Sequence, residues 1–294
     1  MSVFRGAGVA LVTPFKEDKS VNFEELERLI EAQVKGKTDA LIVCGTTGEP
    51  ATMSEEERLS VIRFAVEKVN GAIPVIAGVG SNSTASVVSF ARMVEKIGVS
   101  GLLIVTPYYN KATQKGLYEH YATIASQVEL PIIIYNVPSR SGCNILPETV
   151  AKIVSDYDNV VGIKEASGNI SQAAKIRKLT GCKIDIYSGN DDQIIPVLSL
   201  GGSGVISVLS NIAPADTHDM VMRYLNGNHE AALELQLKYM DLIDALFSEV
   251  NPIPVKAVLN LMGYNVGGLR LPLTEIEEEH KQILITRMKE VGLI

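Results

Sequence analysis

Histidine is scarce in this chain, with four among 294 residues. His120, His218, His229 and His280 each fall in a helix-like stretch, and none has a second histidine two to five residues away. A histidine-built catalytic metal site is therefore not indicated, and surface helix positions are expected for all four. Cysteine is scarcer still: Cys44, Cys143 and Cys182 are odd in number, far apart and without a CxxC pair. That usage suggests reduced thiols in a cytoplasmic protein. Positive charge is in deficit, with 27 Lys and Arg against 34 Asp and Glu and a net charge of −7. No basic cluster interrupts this balance, so a nucleic-acid face is not expected. The opening MSVFRGAGVALVTPF lacks the apolar core of a signal peptide, and no later run reaches membrane-spanning length. No membrane partner is expected either.

Short, apolar, β-branched runs are plentiful. They read GVALVTP (8–14), ALIVCG (40–45), IPVIAG (73–78), GLLIVTP (101–107), PIIIYN (131–136), VVGIKE (160–165), IDIYSG (184–189) and GVISV (204–208). Between them lie segments of helical period, such as 23–35, where Phe23, Leu26, Leu29, Ile30 and Val34 share a stripe. Ser54 with Glu57 reads as a capping box, Pro147 as a first helical turn, and Gly98 and Gly181 as helix ends. Strands apolar on both faces, each followed by a helix, imply a parallel sheet covered by helices. Eight such units without a linker predict an α/β fold, a (β/α)8 TIM barrel. After residue 208, segments 214–226, 229–249 and 274–291 read as helices. The barrel is assigned to residues 1–212 and a helical extension packed on it to 213–294.

The active site of such a barrel lies where strands end and loops begin. The polar residues at those ends are Thr46, Thr47 and Glu49; Thr106 to Asn110; Tyr135 with Asn136, Ser139 and Arg140; Lys164 with Glu165; and Ser188 to Asn190. Lys164 stands out, because it closes the apolar run VVGI. Strand alternation places Lys164, Gly162 and Val160 inside the barrel, with Val161 and Ile163 facing the helices. Gly162 then leaves room beneath the lysine, and Tyr135 ends the adjacent strand at a comparable level. A lysine kept dry loses its proton more readily, and the neutral amine forms Schiff bases with carbonyl substrates. Taken singly, each residue also has a plainer reading. A strand-end lysine can be solvated, Tyr135 can be a core residue, Thr46-Thr47 a capping turn and Arg140 a solvated loop charge. Glu49 and Glu165 read as structural partners of their neighbours.

Seven motifs, GTTGE (45–49), PYYNK (107–111), YNVPSRSG (135–142), GIKEASGN (162–169), SGNDD (188–192), GGSGVISV (201–208) and NPIPVK (251–256), resemble those of the dihydrodipicolinate synthases. The resemblance runs in order along nearly the whole chain. It implies a pyruvate-dependent Schiff-base lyase that condenses pyruvate with L-aspartate-4-semialdehyde, giving 4-hydroxy-tetrahydrodipicolinate for diaminopimelate and lysine biosynthesis. By the same resemblance Lys164 forms the imine, Tyr135 moves protons, and Thr46 and Tyr109 complete the relay, Tyr109 arriving from a neighbouring subunit. Thr47 and the backbone at Ile206 hold pyruvate, Gly189 lines the site, and Arg140 binds a substrate carboxylate. No metal and no cofactor beyond the covalent imine is implied, and the assembly is a homotetramer built as a dimer of dimers.

Two alternatives stay open. N-acetylneuraminate lyases and sugar-acid aldolases share the lysine and tyrosine. The former typically carry Ser-Thr where this chain has Thr46-Thr47, and lack the arginine matching Arg140. A non-catalytic pyruvate-binding protein is the other. The glycines of Gly201-Gly202-Ser203-Gly204 precede strand 8, so they do not indicate a phosphate cup. Lysine-inhibited relatives carry Ser, two His and a Glu at a feedback site, where this chain has Pro50, Glu55, Arg58 and Ser86. Asn82 and Tyr108 are retained there. Weak or absent inhibition by lysine is expected.

Overall fold

The computed structural model describes residues 2–294. Eight parallel strands close into a barrel in chain order, β1 to β8. The first half runs β1 (Gly6–Ala10), α1 (Phe23–Lys35), β2 (Ala40–Val43), α2 (Glu55–Val69), β3 (Val75–Gly78), α3 (Thr84–Glu95), β4 (Gly101–Val105) and α4 (Gln114–Ala125). The second half runs β5 (Ile132–Asn136), α5 (Pro138–Ser141), α6 (Pro147–Asp156), β6 (Val160–Glu165), α7 (Ile170–Thr180), β7 (Asp185–Ser188), α8 (Ile194–Ser199), β8 (Gly204–Ser207) and α9 (Pro214–Leu225). Helices α10 (His229–Leu246), α11 (Ile253–Leu261) and α12 (Glu278–Val291) follow. The expected barrel with a C-terminal helical extension is what forms. Among the described residues no helix is long and apolar enough to cross a membrane.

Apart from β6, the strands are shorter than the apolar runs because the ladder ends where the chain turns, although Leu11 and Val12 stay buried beyond β1. Helix α11 interrupts the span between the expected helices. Pro252 is its N-cap and Pro254 sits in its first turn, where a missing N–H costs nothing. On α1 the buried stripe is Leu26, Leu29 and Ile30, while Val34 is left 37% exposed at its edge. Ser54 and Glu57 form the reciprocal capping box at α2, Pro147 opens α6 and Gly181 caps α7.

Two apolar layers result. The outer one fills the space between sheet and helices, and the inner one holds Ile42, Ile76, Leu103, Ile133, Tyr187 and Ile206. Phe4 closes the barrel floor: its ring stacks on Tyr187 at 4.3 Å, and the Tyr187 hydroxyl donates to its carbonyl at 2.6 Å. The face assignment on β6 needs one correction. The register slips so that Ile132 pairs with Val160 but Ile133 pairs with Gly162. Val160 consequently packs in the outer layer with Ile163 instead of pointing inward. Beyond the slip the alternation holds, and Lys164 lies between Tyr135 on β5 and Tyr187 on β7. The room left by Gly162 is taken up by Tyr187 and Ile133, whose atoms lie 3.4 and 3.5 Å from where its Cβ would be.

Candidate active site

Lys164 closes β6 and is 6% exposed. Its Nζ stands 4.4 Å from the centre of the Tyr135 ring. Burial lowers its pKa from 10.5 to about 8, opposed by the Asp191 carboxylate and reinforced by the Arg140 guanidinium. Roughly a tenth of such amines are neutral at pH 7, against a few in ten thousand for a free lysine. The next residue, Glu165, faces the other way. It accepts from Asn136 Nδ2 (3.0 Å), Gln172 Nε2 (3.1 Å) and Ser167 N (2.7 Å), tying the ends of β5 and β6 to α7. Lys164 is thus presented from a braced strand end.

Tyr135 is buried, and burial raises its pKa while Arg140 and a hydrogen bond with Thr46 pull it back. Thr46 and Thr47 lie in one 3-10 turn after β2, spanning Thr46–Gly48. Glu49 ends that turn in the left-handed region, at φ 56°. Its carboxylate is held by a buried ion pair with Lys256 Nζ at 2.8 Å and by Arg270 N at 3.2 Å. The Lys256 ammonium also donates to Gly268 O at 2.8 Å and lies over the Phe15 ring. Thr47 Oγ1 in turn accepts from Asn251 Nδ2 at 2.9 Å. Arg140 leaves α5 exposed at the entrance, with Nη2 on the Asn251 carbonyl at 3.1 Å. Asn251, Lys256 and Arg270 all follow α10, so the part of the extension beyond α10 braces the loop after β2.

Two cavities meet at Tyr135 and Arg140. One, of about 700 Å³, takes in Thr47, Lys164, Gly189 and Asn251. The other, of about 390 Å³, runs from Thr46 past Arg58 to Tyr108. Gly189 must be glycine where it stands, since a Cβ there would lie 2.5 Å from that of Ala166. Ile206 is buried on β8 with its side chain in the inner layer. One chain therefore gathers Lys164, Tyr135, Thr46, Thr47, Arg140 and Gly189 at the mouth. It leaves Tyr109 outside: that residue is 92% exposed, at φ 70°, and lines neither cavity.

Three residues went unassigned in the sequence. Asp191 is buried after β7, and its Oδ2 accepts from Val208 N (3.0 Å) and Leu209 N (2.9 Å) just past Ile206. Burial raises its pKa. Asn251 and Lys256 belong to the quoted NPIPVK motif, and a lysine inside the apolar stretch IPVKAVL was the available signal. The histidines need a correction too. His120 is buried, not on the surface, because it shares the packed face of α4 with Leu117, Tyr121 and Ile124. Its Nδ1 bonds Thr84 Oγ1 at 2.8 Å, and burial lowers its pKa to about 4. His218 pairs with Asp39 and His280 with Glu249. Among the described residues no group of three or more His, Cys, Asp or Glu side chains is placed to hold a metal ion. The three thiols are unpaired, and Cys182 is the exposed one.

The Dihydrodipicolinate synthetase family model matches residues 3–291. A 4-hydroxy-tetrahydrodipicolinate synthase of Lachnoclostridium phytofermentans is 56% identical over 294 residues, covering all of both chains. Another, of Caldicellulosiruptor bescii, is 58% identical over 293 residues, covering 100% of this chain and 99% of the relative. The crystal structure of dihydrodipicolinate synthase from Thermotoga maritima superposes with a TM-score of 0.97 at 47% identity, covering 99% of this chain and 100% of that one.

Proposed function

The chain belongs to the dihydrodipicolinate synthetase family, and from that membership we propose that it condenses pyruvate with L-aspartate-4-semialdehyde to give 4-hydroxy-tetrahydrodipicolinate, on the route to diaminopimelate and lysine. The observation that carries this reading is the dry lysine: Nζ buried at the mouth against Tyr135, with its pKa brought to about 8. The neutral amine of Lys164 adds to the keto carbon of pyruvate, water leaves, and the imine forms. Loss of a methyl proton gives the enamine, whose terminal carbon attacks the aldehyde carbon. Tyr135 supplies and takes back the protons these steps require, relayed through Thr46. Thr47 and the backbone at Ile206 hold the pyruvate carboxylate, Gly189 leaves space beside it, and the Arg140 fork receives the carboxylate of the second substrate.

Tyr109 completes the relay from a neighbouring subunit. Its exposure and distance from its own cavities support that role, and with it a homotetramer arranged as a dimer of dimers. The imine is the only covalent aid the reaction needs, so no resident cofactor or metal is proposed. The setting is cytoplasmic, with small-molecule substrates and neither nucleic acid nor membrane as partner. The Thr46-Thr47 pair and Arg140 weigh against the N-acetylneuraminate and sugar-acid lyases.

Borohydride reduction in the presence of pyruvate, followed by mass spectrometry, tests the imine. A pyruvyl adduct on Lys164 is expected, and its absence sinks the mechanism. A coupled assay with aspartate semialdehyde then separates the synthase from the lyases, which would instead release pyruvate from sialic or sugar acids.

A further inference from the structure

Asn251 touches both of the side chains assigned to substrate carboxylates. Its Nδ2 donates to Thr47 Oγ1 at 2.9 Å, and its backbone carbonyl accepts from Arg140 Nη2 at 3.1 Å. The residue is 5% exposed and stands in the wall of both cavities. Its Oδ1 is sealed inside the protein and has no partner among the described residues. A buried carbonyl without a donor costs free energy, and an apolar side chain of the same shape would avoid that cost. Packing alone therefore does not explain an asparagine here. What the amide supplies is one donor, and that donor is spent on Thr47.

The direction of this bond decides where the Thr47 proton goes. A threonine hydroxyl has one proton and two lone pairs. With a lone pair engaged by Nδ2, the proton points away from Asn251. Thr47 lines the cavity that contains Lys164, and in the synthase reading its hydroxyl meets the carboxylate of pyruvate. A carboxylate offers only acceptors, so the hydroxyl serves it only while the proton is on that side. A neighbour that accepted from Thr47 would draw the proton off the substrate.

We propose that Asn251 is a positioning residue for pyruvate: by donating to Thr47 Oγ1 it sets the Thr47 hydroxyl with its proton toward the substrate carboxylate. The assignment rests on the synthase reading above. The side chain thus serves the first substrate, while the main chain of the same residue steadies Arg140 for the second. The two tasks separate on mutation, because a substitution removes the amide and keeps the backbone carbonyl.

The test reads kcat/KM for each substrate in turn. In Asn251→Ala the value for pyruvate falls about tenfold, while that for aspartate semialdehyde stays close to the parent's. In Asn251→Asp an acceptor replaces the donor and takes the Thr47 proton, and the value for pyruvate falls about a hundredfold. In a Thr47→Val background no hydroxyl remains to be set, so adding Asn251→Ala has little further effect. An unchanged or raised kcat/KM for pyruvate in Asn251→Ala overturns the proposal. So does an equal loss for both substrates, which marks a general loss of order, and so does an undiminished effect in the Thr47→Val background. If Asn251→Ala does not fold, Asn251→Asp decides alone, and a value for pyruvate at or above the parent's overturns the assignment. Failure of borohydride to trap pyruvate on Lys164 of the unmodified protein sinks the synthase reading itself. Trapping and turnover with an unmoved kcat/KM in the variants sink only the role of Asn251.

Discussion

Replacing Lys164 by methionine isolates what the site costs the fold. Methionine keeps the unbranched stem and removes the amine. The fall in pKa from 10.5 to about 8 is caused first by burial, and each pKa unit corresponds to about 1.4 kcal/mol. The folded state therefore carries about 3 kcal/mol of unfavourable charge burial that the unfolded chain avoids. That cost is complete below pH 8, where the amine is protonated in both states. It declines as pH rises through 8, where the folded amine loses its proton first, and is gone above 10.5. Lys164→Met is accordingly more stable than its parent by about 3 kcal/mol at pH 7, or about 5 °C in Tm for a chain of this length. At pH 10 the advantage from this source shrinks to less than about 1 kcal/mol. Urea unfolding followed by circular dichroism, at one protein concentration and both pH values, measures the difference. Equal stability at pH 7, or an advantage that does not change with pH, refutes the argument that Lys164 is held dry.

Tyr109→Phe removes one hydroxyl from a side chain that is 92% exposed, so kcat should drop about a hundredfold or more with no change in unfolding midpoint. Mixing Tyr109→Phe with inactive Lys164→Met under subunit exchange should restore activity, since a mixed pair contains one complete site; a mixture that stays inactive refutes the cross-subunit relay. Lys256→Met strands the buried Glu49 carboxylate and should destabilise the fold by about 3–5 kcal/mol, part of which Glu49→Gln recovers in the double variant. A loss under about 1 kcal/mol in the urea midpoint would mean that the pair is solvated. Lysine should inhibit weakly, because Arg58 stands in the feedback region with its guanidinium on the Phe90 ring at 3.9 Å and on Gly78 O at 3.0 Å, a cation where the amino acid's ammonium would come near. Strong inhibition at sub-millimolar lysine in an initial-rate assay refutes this.

What the sequence discloses and what it hides divide along physical lines. Runs apolar on both faces, such as PIIIYN and VVGIKE, reveal central parallel strands because nothing else buries both faces so briefly. The barrel rule then converts strand ends into a site, and sequence alone sets Lys164 beside Tyr135. The rule of alternation assumes an unbroken ladder, so it could not foresee the slip that turns Val160 outward. His120 was legible in principle, since it shares a helical stripe with Leu117, Tyr121 and Ile124. Asn251 was hidden for a different reason: its partner Thr47 lies 204 residues away. A contact that distant leaves no periodicity to read.

The brace between the loop after β2 and the segment beyond α10 has a bearing on synthesis. All eight strands are complete by Ser207, while Asn251, Lys256 and Arg270 come later. A nascent chain emerging N-terminus first, at roughly 5–20 residues per second, could close its barrel several seconds before the Thr46–Glu49 loop received any of its three holders. Ribosome-bound chains stopped near residue 240 would carry Lys164 and Tyr135 in a formed sheet with the Thr46–Glu49 loop still loose. Competence would then arrive with the last few dozen residues, so that a prematurely terminated product folds without becoming an enzyme.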